Sequence, residues 1–143
     1  MKEGPRPRVG LDNYGLLPLQ LAPLATLQWA ADHGAEGVAF SGLPPEQLSL
    51  VDRALLRDLA AFAREHDLYL EWGGAQHIPR DMTTWQAVDL AATNGRAASE
   101  AAALGARVVR SCSGGLMRWK RESPPTDVLL RETADALRAQ RSM

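Results

Sequence analysis

A chain of 143 residues, 45% hydrophobic and 23% charged, has the length and composition of one soluble globular domain with a real core, spanning 1–143. A net charge of −1 and a pI near 6.3 exclude a global field that would draw it to nucleic acid or anionic lipid. The single cysteine, Cys112, excludes an internal disulfide, and a cytoplasmic location is expected.

No apolar run approaches the roughly 20 residues of a membrane helix, and MKEGPRPRVG lacks the apolar core of a secretory signal. Residues 1–7 are polar, with two prolines, and read as a frayed lead-in. Arg8 to Asp12 is the first expected strand, running into Asn13-Tyr14-Gly15 and a proline-spaced connection from Leu16 to Ala22. Pro23 suits the first turn of a helix, where its missing N–H costs nothing, and Gly34 is a good stop. Gly37 to Phe40 is the second strand, ended by Ser41-Gly42. A second helix carries Val51, Leu55, Leu59 and Phe62 as one apolar stripe, capped by Ser49 or Asp52. Leu68 to Trp72 is the third strand, broken by Gly73-Gly74 into a loop with His77. A third helix is expected from Thr83 or Thr84 to Leu104, weakened at Asn94-Gly95 and ended by Gly105. Arg107 to Cys112 is the fourth strand, followed by a glycine-rich and basic loop. The last helix starts near Thr126 or Asp127 and frays over 140–143.

The order is βαβαβαβα, which implies an α/β fold with a parallel sheet and right-handed crossovers. Two architectures accommodate four such units: a small open parallel α/β sheet, or half of an eight-stranded barrel. The first turn, Leu11 to Gly15, has no dinucleotide or P-loop glycine pattern, which weakens the nucleotide-binding version of the open sheet.

The runs VGLDNYGL, LQWAADHGAEGVAF, REHDLYLEWGG and AAALGARVVRSCSGG resemble, in that order, the N-terminal half of the xylose isomerase-like sugar phosphate isomerase/epimerase family. That resemblance covers roughly residues 8 to 140 and implies the first four βα units of a TIM barrel. It also implies metal-assisted proton transfer next to a carbonyl of a small sugar or sugar phosphate. The family's divalent metal is held by two glutamates, an aspartate and a histidine of the second half, so none of those ligands is carried over. A full barrel needs about 250 residues. The expectation is therefore a truncated half that is inactive alone, completed by a second copy as a homodimer or by a complementing second-half chain. Two alternatives stay open: a non-catalytic fragment or interaction module, and an endonuclease-like DNA-repair fragment, the latter disfavoured by the near-neutral charge.

Ligands bind at the carboxyl ends of parallel strands, and the candidate residues lie there. Glu71 ends the third strand, where a carboxylate can act as a base or bind a hydroxyl; its structural alternative is an ion pair with Arg110. His77, after the double glycine, can shuttle a proton or be a solvated loop residue. Related barrel endonucleases place a metal-binding histidine after the third strand, but one histidine is not a metal site. Asp12, Asn13 and Tyr14 line the mouth or are ordinary turn chemistry. Trp72 offers an aromatic face for a sugar, or is core. Arg110 and Ser111, with the following glycines, can cradle a phosphate or form a solvated face. His33 and His66 end helices and are structural. Cys112 has no activating base in the sequence and is rejected as a nucleophile.

Overall fold

The computed structural model describes residues 6–81, 83–111 and 120–140. Residues 1–5, 82, 112–119 and 141–143 lie outside the described residues, and with them the expectations placed on the lead-in, on Cys112 and on the glycine-rich run after it. Four strands, β1 (Leu11–Asp12), β2 (Gly37–Phe40), β3 (Tyr69–Ala75) and β4 (Val108–Ser111), form one all-parallel sheet in the order β1-β2-β3-β4. Between them run α1 (Pro23–Asp32), a single turn α2 (Pro45–Leu48), α3 (Arg53–Glu65) and α4 (Leu90–Leu104); α5 (Thr126–Gln140) follows. The fold is thus α/β with a four-stranded parallel sheet. Among the described residues no helix is long and apolar enough to cross a membrane.

One face of the sheet makes the core. Val38, Phe40, Leu70 and Trp72 pack against Leu27 of α1, Leu56 and Leu59 of α3, and Ala101 and Leu104 of α4. Strand side chains alternate between faces, so Asp12, Ala39 and Glu71, which share one row of the register, project to the other face. Glycine keeps that second face low. A Cβ on Gly37 would strike the Tyr69 ring, and one on Gly10 would strike the Tyr69 hydroxyl. The ring therefore lies flat across β2 and the approach to β1.

Helix ends follow local chemistry where the sequence supplies it. Asp52 caps α3 by accepting from the Leu55 N–H at 2.8 Å, and Gly105 ends α4 in the left-handed conformation, at φ 75°. His33 and His66 sit at the C-caps of α1 and α3, stacked on Trp29 and Phe62 at 3.9 and 4.1 Å between ring centroids.

Three expectations are corrected. First, β1 is only Leu11–Asp12, and the proline-spaced connection after it is a 3-10 helix, Asn13–Leu19. Second, β3 does not break at Gly73-Gly74 but continues to Ala75, because the missing Cβ of Gly73 lets the end of β2 approach. Third, α4 begins at Leu90 rather than at Thr83 or Thr84. The Asp81 carboxylate takes the N–H groups of Thr83 and Thr84 at 2.9 and 2.7 Å and folds them into a turn, while Asp89 caps the helix by accepting from Ala92 at 3.1 Å. The bonds at Asp81 hold its carboxyl below the ordinary range, the Thr84 N–H foremost.

Candidate functional site

Each strand delivers a polar side chain to one cluster at the carboxyl end of the sheet, on the face away from the helices. Arg110 of β4 is its centre. Its Nη1 donates to Asp12 Oδ2 at 2.6 Å and to Ser41 Oγ at 2.7 Å, and its Nε lies 3.5 Å from Glu71 Oε2. The Ser41 hydroxyl donates in turn to Asp12 Oδ2. Asp12 ends β1, Ser41 follows β2 by one residue and Arg110 is next to last in β4, whereas Glu71, expected at the end of its strand, is the third residue of β3, because that strand runs on to Ala75.

The expected Glu71–Arg110 pair forms, at 3.5 Å and with a diagonal register. Glu71 is opposite Val108, so Arg110 stands two residues further along and its guanidinium reaches back across the sheet. Nor is the pair deeply buried: the Glu71 and Arg110 side chains retain 29% and 42% of their exposure. Removing one partner therefore costs far less than in a sealed ion pair.

Asp12 is the most constrained member. Burial acts to raise its pKa, but the Ser41 hydroxyl, the Tyr14 N–H (3.0 Å) and Arg110 together outweigh it and hold the carboxyl below the usual aspartate range. The cluster then carries one guanidinium for two carboxylates. Five N–H groups make up a guanidinium, and among the described residues those on Nη2 of Arg110 have no protein acceptor.

The lip of the cluster is held by an amide clamp. Asn13 is 7% exposed; its Nδ2 donates to the Gly42 carbonyl at 2.7 Å, and its Oδ1 accepts from the Ser41 N–H at 2.9 Å. Both ends of that amide are spent within the protein, so Asn13 positions Ser41 and is not offered to a ligand as expected. Tyr14 is half exposed, with its hydroxyl against Gly42.

The remaining candidates lie on the helix side. Trp72 is 3% exposed, meets Phe40 edge-on at 5.9 Å and donates its Nε1–H to Glu100 Oε2 at 3.0 Å. It belongs to the core and presents no face to a sugar. Ser111 follows Arg110 directly and so points to the opposite face, where its Oγ meets His77 Nδ1 at 3.0 Å. The expected phosphate cradle of Arg110 and Ser111 is not assembled, because the two side chains leave the strand on opposite sides. Glu71 and His77 likewise fall in separate groups, Glu71 with Arg110 and His77 with Ser111. Ser41 is the residue that sequence reading missed as a site member; its signal was a hydroxyl immediately after β2, where the strand's carboxyl end opens into a turn.

The metal implied by the sequence resemblance does not fit these residues. Among the described residues no three histidine, cysteine or carboxylate side chains converge on one point, and a guanidinium already lies between the two carboxylates of the cluster. Comparison of the chain with models of known families, with curated proteins and with solved structures returns no match.

Proposed function

We propose that this chain is one half of a (β/α)8 barrel of the sugar isomerase/epimerase type, and that its Asp12–Ser41–Glu71–Arg110 cluster binds the polyol part of a small sugar. The observation that carries the reading is the convergence of polar groups from β1, β3, β4 and the residue after β2 on the face free of helices. That is the face a barrel turns inward, at the end where barrel enzymes hold their substrates. The sequential order β1-β2-β3-β4 supports it further, because a doubly wound sheet reverses direction at a switch point and places helices on both faces.

The chemistry within the cluster assigns distinct roles. Asp12, held ionised, and the Ser41 oxygen, whose own proton goes to Asp12, accept from sugar hydroxyls. Nη2 of Arg110, without an acceptor among the described residues, donates to the carbonyl oxygen and stabilises the negative charge that develops there. In the completed barrel Glu71 takes the proton from the carbon next to the carbonyl and returns it to the former carbonyl carbon, while the hydroxyl proton passes to the other oxygen, giving the isomer with no net change in atoms or charge; return to the opposite face of the original carbon gives the epimer instead. His77 stays outside this step, since its hydrogen bond to Ser111 is on the helix side. Two carboxylates against one guanidinium repel a phosphate, so the cluster favours an unphosphorylated sugar or the uncharged end of a phosphorylated one. Among the described residues the edges of β1 and β4 are unpaired, and in this reading a second half, supplied by a second copy or by another chain, covers them; Val9 is 70% exposed beside the first edge, and Val108 and Val109 are exposed on the second.

The test is titration of the amide-labelled protein with D-fructose and, separately, fructose 1-phosphate, followed by NMR. The expected result is saturable shifts at Asp12, Ser41, Glu71 and Arg110 with the neutral sugar, lost in Glu71→Gln, and no turnover by the chain alone. Shifts confined to other residues would contradict the assignment of the cluster. Metal-dependent isomerisation by the purified chain alone would contradict the division into halves.

A further inference from the structure

A second cavity lies at the other end of the same strands. Strand β4 starts late: Val108 is opposite Glu71, which leaves Tyr69 and Leu70 of β3 without partners on that side. Because α4 ends in the left-handed Gly105 before the chain turns into β4, a notch of about 570 Å³ opens there between β3, β4 and the C-terminal turns of α3 and α4. That volume is within the ~300–1,000 Å³ of small-molecule sites.

The floor and the rim differ in chemistry. Ala63, Leu70 and Leu104, all buried core residues, form the floor. Arg8, Arg64 and Arg107 line the cavity above it, and the lone acid among the lining residues, Glu71, is already turned to Arg110. Arg8 is engaged with Asp67 and lies 5.5 Å from the centroid of the Tyr69 ring. Arg64 and Arg107 have no hydrogen-bond or ion-pair partner for their side chains among the described residues. Two unspent guanidiniums above an apolar floor are matched by one ligand chemistry. Each can grip an anionic oxygen with paired N–H groups, while the floor takes hydrocarbon out of water.

We infer that this notch is a binding site for a small amphiphilic anion, a carboxylate or phosphate head on an apolar body, separate from the sugar cluster. Neither part of the ligand suffices alone: the head without the body leaves the floor wet, and the body without the head leaves both arginines unpaired.

Octanoate is the probe, with acetate and 1-octanol as its two halves, each titrated into the amide-labelled protein. Octanoate should saturate with shifts at Tyr69, Leu70 and Leu104, and acetate and octanol should each bind at least tenfold more weakly. The double variant Arg64→Gln/Arg107→Gln, whose spectrum should otherwise match the parent, should lose at least tenfold in octanoate affinity. Ala60→Phe, which fills the notch from α3 without changing charge, should lose binding as well. Octanol binding as tightly as octanoate, full affinity in the arginine double variant, or retained binding in a folded Ala60→Phe protein would each overturn the inference.

Discussion

Gly73→Ala should destabilise the protein by about 3 kcal/mol or more, a cost at the upper end of overpacking because the obstruction is backbone. A Cβ at this position would strike the Ser41 carbonyl oxygen, and would stand 2.6 Å from the carbonyl carbon and 2.7 Å from the Phe40 oxygen. No rotamer change relieves contacts with main chain. The strands must separate at their carboxyl ends, which pulls Ser41 away from Asp12 and Arg110. Gly74→Ala is the control. Its φ of 87° makes any side chain strained, but the nearest atom to its Cβ would be that of Ala97 at 3.9 Å, so the cost is about 1–2 kcal/mol of backbone strain alone. Urea denaturation of the two variants separates the cases. A Gly73→Ala midpoint equal to that of Gly74→Ala would mean that β2 and β3 do not approach as described.

Trp72→Ala should cost about 3–5 kcal/mol, the range for deleting a buried tryptophan. The loss has three parts: the ring's burial beside Phe40, the cavity left between β3 and α4, and the hydrogen bond to Glu100. Trp72→Phe keeps most of the volume and forfeits the hydrogen bond, for about 1–2 kcal/mol. Because Trp72 is on the helix side, Trp72→Phe should bind sugar as the parent does. A tenfold loss of sugar affinity in Trp72→Phe, with stability unchanged, would return this residue to the binding site.

These two residues mark the boundary between what the chain's local patterns reveal and what only packing decides. Strand β2 occupies Gly37–Phe40 and α5 starts at Thr126, as the sequence predicts, because short apolar runs, turn residues and caps act over a few positions. Gly73 is different. Its role depends on how closely another strand passes, and nothing within the LYLEWGG run records that distance. The same holds for the faces. Alternation separates Glu71 from Trp72, yet which of them meets the core depends on where α4 lands, so Trp72 reads equally well as core or as binding surface. Arg110 and Ser111 are adjacent in the sequence and look like one site for the same reason. The cluster itself joins Asp12 to Arg110 across 98 positions, and its register offset of two residues follows from the late start of β4. At Asp81 the miss has a local cause: a side chain competes with the backbone for N–H groups and delays α4 by two turns.

The proposed half-barrel would leave the edges of β1 and β4, unpaired among the described residues, to be covered by a second half. Sedimentation equilibrium at micromolar concentration tests this most directly. The half-barrel reading predicts an assembly of twice the 15.5 kDa chain mass, with the first strand of each copy against the fourth strand of the other. A well-folded monomer of 15.5 kDa across that concentration range would contradict it.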